Sequence, residues 1–128
     1  MLKILVVDDS KVMREMIVAC LRGVNGLDFI QAASGLEAIE RLSLGSFDLM
    51  FLDLNMPDIG GFEVVEFVRS QDTLKDLPIV IVTTRSEEST RTRALQLGAS
   101  SFMTKPFDPA AVVAQLRTLL AGRLDETP

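Results

Sequence analysis

Five short apolar runs separated by five helical stretches predict an α/β fold: one five-stranded parallel sheet, helices on both faces. Three observations carry that prediction. The runs and helices alternate strictly, which calls for right-handed crossovers and a parallel sheet. The runs are nearly continuous in Val, Ile, Leu, Met and Phe, as suits strands covered on both sides. The chain has 128 residues, room for one domain of this kind with its own core. The expected strand order is 2-1-3-4-5, the flavodoxin-like arrangement.

The expected strands are Lys3 to Val7, Phe29 to Ala33, Leu49 to Leu52, Ile79 to Val82 and Ser101 to Met103. The first helix is expected to present Met13, Met16, Ile17 and Cys20 inward, with Lys11, Arg14, Glu15 and Arg22 mostly outside that stripe and Gly23 ending it. Gly35 to Leu44 reads as the second helix and Phe62 to Arg69 as the third, with Glu63 and Glu66 facing solvent. Glu87 to Leu97 is the fourth, stopped by Gly98. The fifth starts at Asp108 as N-cap with Pro109 in the first turn, and its apolar face is Val112, Val113, Leu116, Leu119 and Leu120. Residues 1–122 form the expected domain; 123–128 read as a polar tail or the start of a linker.

Composition removes whole classes of chemistry. There is no His, and Cys20 is the single cysteine. Ser-His-Asp and Cys-His catalysis, His-ligated metals, cysteine zinc sites and CxxC redox chemistry are all excluded. Trp and Tyr are absent, which argues against a base-stacking platform. The net charge of −5 disfavours a nucleic-acid partner. The apolar run after Lys3 stops at Asp8, too short for a signal peptide or membrane span, so the expected location is cytoplasmic.

In open parallel sheets, ligands bind beyond the carboxyl ends of the strands. The first strand ends in Asp8-Asp9, the third in Asp53, the fourth in Thr83-Thr84, and the fifth is followed by Thr104-Lys105-Pro106. With strand one beside strand three, Asp8, Asp9 and Asp53 converge. A single Asp at a strand end is ordinarily a turn former, and a single Lys a solvated charge. Four strands ending in chemistry-bearing residues is another matter. Like charges about 5 Å apart cost on the order of 3 kcal/mol per pair at an effective dielectric near 20. Shifted pKa values, Lys105 or a bound cation must offset that. Oxygen donors without His or Cys favour Mg²⁺, Mn²⁺ or Ca²⁺, and few protein ligands suit Mg²⁺.

Val-Val-Asp8-Asp9-Ser, Leu-Asp53-Leu-Asn55-Met-Pro57, Val-Thr83-Thr84 and Phe102-Met-Thr-Lys105-Pro106 together resemble the receiver domain of two-component response regulators, chemotaxis-type included. The resemblance runs from Lys3 to about Leu120. It implies that Asp53 accepts a phosphoryl group from a histidine kinase, a phosphotransfer protein or a small donor such as acetyl phosphate. It implies that Asp9, Asp53 and the backbone carbonyl of Asn55 ligate Mg²⁺, with Mn²⁺ an alternative, and that Asp8 acts through water. Lys105 is implied to pair with the phosphoryl oxygens across a cis bond to Pro106. Thr83 and Phe102 are the implied switch pair, and a downstream protein is expected on the face of the fourth helix, fifth strand and fifth helix. Pro57 and a flexible Gly60-Gly61 pair would hold the loop open beside the acceptor. Gly60 replaces the acid, and Phe102 the Tyr, that are frequent in that family.

Three other readings compete. A haloacid-dehalogenase-type phosphohydrolase would need a DxDx[TV] loop after the first strand, where this chain has Asp8-Asp9-Ser10. A flavin mononucleotide binder would need a phosphate-cradling loop there, not two acids. A receiver-shaped module that is never phosphorylated usually lacks one of the acids or the lysine. The expectation is a phosphorylation-competent receiver, either stand-alone or part of a longer regulator; in signalling terms it is no enzyme beyond its own phosphorylation and dephosphorylation. Arg85, Arg91 and Arg93 are candidates for a partner patch.

Overall fold

A computed structural model describes residues 1–124. In chain order the elements are β1 (Leu2–Val7), α1 (Lys11–Leu21), β2 (Leu27–Ala32), α2 (Gly35–Leu44), β3 (Leu49–Leu52), α3 (Gly61–Ser70), β4 (Ile79–Thr83), α4 (Glu88–Leu97), β5 (Ser101–Thr104) and α5 (Pro109–Leu119). All four strand pairings are parallel, in the order β2-β1-β3-β4-β5. That is the order the alternating pattern predicts.

Successive strand residues bury opposite faces. Ile4, Val6, Leu49, Phe51, Val80 and Val82 pack against α1 and α5, through Ile17, Val18, Leu21, Val112, Leu116 and Leu120. Leu5, Val7, Met50, Leu52, Ile79 and Ile81 pack against α2, α3 and α4. The continuous apolar runs are continuous because both faces are covered. No described helix is long and apolar enough to cross a membrane.

Local chemistry sets the helix ends. The Ser10 hydroxyl accepts from the Met13 amide and the Ser34 hydroxyl from the Glu37 amide; the Asp108 carboxylate accepts from the Ala110 amide. Gly98 closes α4 at φ +114°, where a β-carbon would be strained.

Two sequence expectations are corrected. The buried stripe of α1 is Ile17, Val18 and Leu21; Met16 is 46% exposed, and Met13 and Cys20 are only half-buried. The frame differs because Arg14, one turn before Ile17 and Val18, turns inward to hydrogen-bond the end of β1. Gly23 directly follows the α1 cap residue Arg22, where a helix-ending glycine is expected, without taking a left-handed conformation. Gly60 and Gly61 have no positive φ either. What Gly61 supplies is space: a β-carbon there would lie 2.5 Å from the Asp53 carbonyl oxygen. Beyond α5, Arg123 ion-pairs with Asp48, and Leu124 packs against the α1/α5 cluster. The remainder of the expected polar tail, 125–128, lies outside the described residues.

Candidate phosphoacceptor and metal site

Strand register brings the acids together. Val7 stands opposite Leu52, so the next residue of each strand, Asp8 and Asp53, emerges side by side. The Asp53 amide donates to the Val7 carbonyl at 3.0 Å and the Asp8 amide to the Ala32 carbonyl at 3.1 Å. One carboxylate oxygen from each of Asp8, Asp9 and Asp53 lies within 4.8 Å of the others. Asp8 and Asp53 are 1% and 5% exposed, whereas Asp9 opens to solvent.

β5 delivers the cation. The Lys105 amide donates to the Thr83 carbonyl at 2.8 Å, continuing the β4–β5 ladder, and the Lys105–Pro106 bond is cis. Lys105 Nζ stands 2.6 Å from Asp8 Oδ2 and 3.6 Å from Asp53 Oδ2. Its closer partner is therefore Asp8. Asp8 Oδ1 accepts from the Ser10 amide at 2.9 Å, so both oxygens of Asp8 are engaged.

Asp53 is left short. Its Oδ1 is buried and has no hydrogen-bond partner. Burial raises the Asp53 pKa above its ordinary value of 3.8; Lys105 opposes that rise and Asp8 adds to it. The amides of Asn55 and Leu54 also favour the anion, though neither completes a bond to Oδ1. A buried carboxylate oxygen without a donor, beside two further acids and one lysine, fits a hard divalent cation, because the donors are all oxygen.

The other predicted residues surround this core. Thr83 is fully buried at the end of β4, its Oγ1 accepting from the Arg85 amide at 3.3 Å. Phe102 on β5 is half-buried and packs against the α2/α3/α4 side of the core. Asn55 lies just past β3 with an exposed side chain.

Two contributors escape the sequence reading. Arg14 donates from Nη1 to the Asp8 carbonyl at 2.6 Å and from Nε to Gln31 at 2.9 Å, tying α1 to the ends of β1 and β2. The spacing 14, 17, 18, 21 was its signal: the arginine shares the inward face of its helix. Asp58 Oδ1 accepts from the amides of Ile59 at 2.6 Å and Gly35 at 3.2 Å. The Ile59 amide, with smaller help from the Ser34 hydroxyl and the Leu36 amide, holds the Asp58 pKa below its usual value. The Ile59 and Gly35 bonds fasten the loop after Asp53 to the start of α2, where a β-carbon on Gly35 would lie 2.2 Å from the Ile59 carbonyl oxygen. An Asp at the start of a turn was the only sign.

Known proteins resemble this chain in sequence and fold. The response regulator receiver domain family matches residues 4–117. Chemotaxis protein CheY1 of Helicobacter pylori is 34% identical over 120 residues, which span 93% of this chain and 97% of that protein. The phosphate regulon transcriptional regulatory protein PhoB of Escherichia coli is 33% identical over 118 residues; the match spans 92% of this chain and 51% of PhoB. The crystal structure of the chemotaxis response regulator CheY4 of Vibrio cholerae superposes with a TM-score of 0.85 at 35% identity, over 94% of this chain and 99% of CheY4. With five parallel strands in the receiver order and an acidic cluster at their carboxyl ends, the chain belongs to the response regulator receiver domain family, in its CheY-like form.

Proposed function

We propose that Asp53 is a phosphoacceptor and that the chain works as a phosphorylation-driven switch. The observation that carries this reading is the buried, unpartnered Oδ1 of Asp53 beside Asp8, Asp9 and Lys105. A carboxylate drawn out of water and denied donors is under-solvated, which favours reaction at its oxygens.

In the transfer, an Asp53 oxygen attacks the phosphorus of a phosphohistidine or of acetyl phosphate. The new P–O bond forms as the P–N or P–O bond to the donor breaks, and its electron pair leaves with the imidazole or acetate. Such a step needs positioning and charge neutralisation rather than an acid or base. Lys105, held by its backbone bond to Thr83, supplies a fixed positive charge next to Asp53. Asp9, Asp53 and the Asn55 carbonyl would hold Mg²⁺ or Mn²⁺, with Asp8 acting through water. The ion when bound neutralises charge on the acids and on the phosphoryl oxygens. Thr83, then Phe102, would carry the change outward to the α4–β5–α5 face, where a downstream protein would bind. The donor would be a histidine kinase or phosphotransfer protein. We place the working unit at residues 1–122, in the cytoplasm, with no catalysis beyond its own phosphorylation and dephosphorylation.

The test is incubation with acetyl phosphate and Mg²⁺ followed by intact-mass measurement. The wild type should gain one phosphoryl group in Mg²⁺ and none when EDTA is present from the start, and Asp53→Asn should gain none. Phosphate retained by Asp53→Asn contradicts the assignment.

A further inference from the structure

Phe62, in the first turn of α3, carries two guanidinium groups. Arg85 of the β4–α4 loop lies 5.7 Å from its ring centroid, and Arg93 of α4 lies 5.0 Å away. Arg85 also donates from Nη2 to Oγ1 of Thr90 at 3.2 Å, and Thr90 is buried on α4. The backbone amide of the same Arg85 holds Oγ1 of Thr83 at 3.3 Å. One residue thus joins the ring to the hydroxyl at the end of β4. The ring itself is half-buried, and Arg91 and Glu88 lie on the exposed surface of α4.

We propose that Phe62 is a positioning residue for Thr83: by holding Arg85 and Arg93 on its ring it pins the β4–α4 loop, and this clamp opposes the turn of the Thr83 hydroxyl toward Asp53. The proposal rests on the phosphoacceptor reading of Asp53, because that reading is what requires Thr83 to move. Turning the hydroxyl gives up its bond to the Arg85 amide, and the loop that moves carries the Arg85 side chain away from the ring. Cation–π contacts at such partly exposed positions bias a two-state equilibrium by about fivefold for the pair at the low end of their range. The clamp therefore holds the inactive arrangement without blocking the other. It also explains why a basic pair sits on α4 and its loop in an acidic chain: the two arginines serve the ring, not only a partner.

The test compares Phe62→Leu, which keeps apolar volume but removes the π face, with Phe62→Tyr, which keeps the face. Relaxation dispersion at the Thr83 methyl group is measured in the unphosphorylated, metal-free protein. Beryllofluoride binding in Mg²⁺ is measured alongside. Phe62→Leu should raise the population of the second Thr83 state about fivefold and tighten beryllofluoride binding by the same factor, since apparent affinity follows the competent fraction. Phe62→Tyr should match the wild type. Unchanged Thr83 exchange in Phe62→Leu, or an equal shift in Phe62→Tyr, overturns the clamp. Should Phe62→Leu fail to fold, Arg85→Met replaces it; it removes one of the two contacts and should raise the population about twofold, and no rise there is equally fatal. If no variant, wild type included, binds beryllofluoride, the phosphoacceptor reading fails, while the Thr83 exchange still decides the clamp.

Discussion

Arg69 and Asp53 are two charged side chains drawn partly out of water, and the protein treats them in opposite ways. Arg69, near the end of α3, donates to the carbonyls of Gly98 at 2.9 Å, Lys75 at 3.0 Å and Leu77 at 2.7 Å. It ties α3 to the α3–β4 loop and to the end of α4. Burial lowers its pKa, and Asp76 works against that, but its donors are used. Asp53 suffers the same desolvation and keeps Oδ1 empty. The first arrangement is finished and structural; the second is left incomplete. Reactivity and cation affinity belong where the fold withholds a partner, and stability belongs where it provides one.

A divalent cation should break the contrast most visibly. Mg²⁺ at about 100 times its dissociation constant should add about 2.7 kcal/mol to the stability of the wild type, lowering repulsion among Asp8, Asp9 and Asp53. Chemical melts in Mg²⁺ and in EDTA should separate by that amount, and coincident curves would place the acids outside any metal site. Arg69→Met sharpens the other side. It strips three carbonyls of their donor and should cost about 2 kcal/mol in urea denaturation, within the range for hydrogen bonds to charged groups. The Mg²⁺ increment should survive in that variant, because nothing in the Arg69 network touches the acids.

The smallest effect is a pH dependence at Asp53. Its folded pKa is raised, so the folded state holds the proton to higher pH than the unfolded chain does. Stability from this group is greatest below about 3.8 and falls as pH climbs through the folded value. Asp53→Asn lacks that fall. In the absence of metal it should match the wild type below pH 3.8 and be modestly more stable near neutrality, read as a difference in melting temperature that grows with pH. A wild type more stable than Asp53→Asn at neutral pH would mean that Lys105 outweighs burial.

Much of this contrast was legible in the sequence, and the reasons are specific. Strand positions were readable because both faces of the sheet are covered, which forces unbroken runs such as Leu49 to Leu52. The meeting of Asp8 with Asp53 followed from topology alone, once β1 lies beside β3. The facing of α1 was not readable: Val12, Met13, Met16, Ile17, Val18 and Cys20 are all apolar enough to support two frames, and the deciding residue is a polar one, Arg14. The Gly61 requirement was hidden because it concerns the distance to the Asp53 carbonyl, a tertiary quantity. Arg69 was invisible for the same reason, since its three acceptors are main-chain carbonyls that any residue type provides. Side chains that serve the backbone leave little trace in composition or spacing.

The central claim is that the incomplete carboxylate is the one that reacts, and its most direct test is to locate the phosphoryl group. After acetyl phosphate and Mg²⁺ treatment, borohydride reduces an acyl phosphate on aspartate to homoserine, which peptide mass spectrometry places by residue. Homoserine at position 53 alone is the result this account predicts. Homoserine at position 8 or 9, where the carboxylates are already partnered or solvent-exposed, or at none of the three, would contradict it.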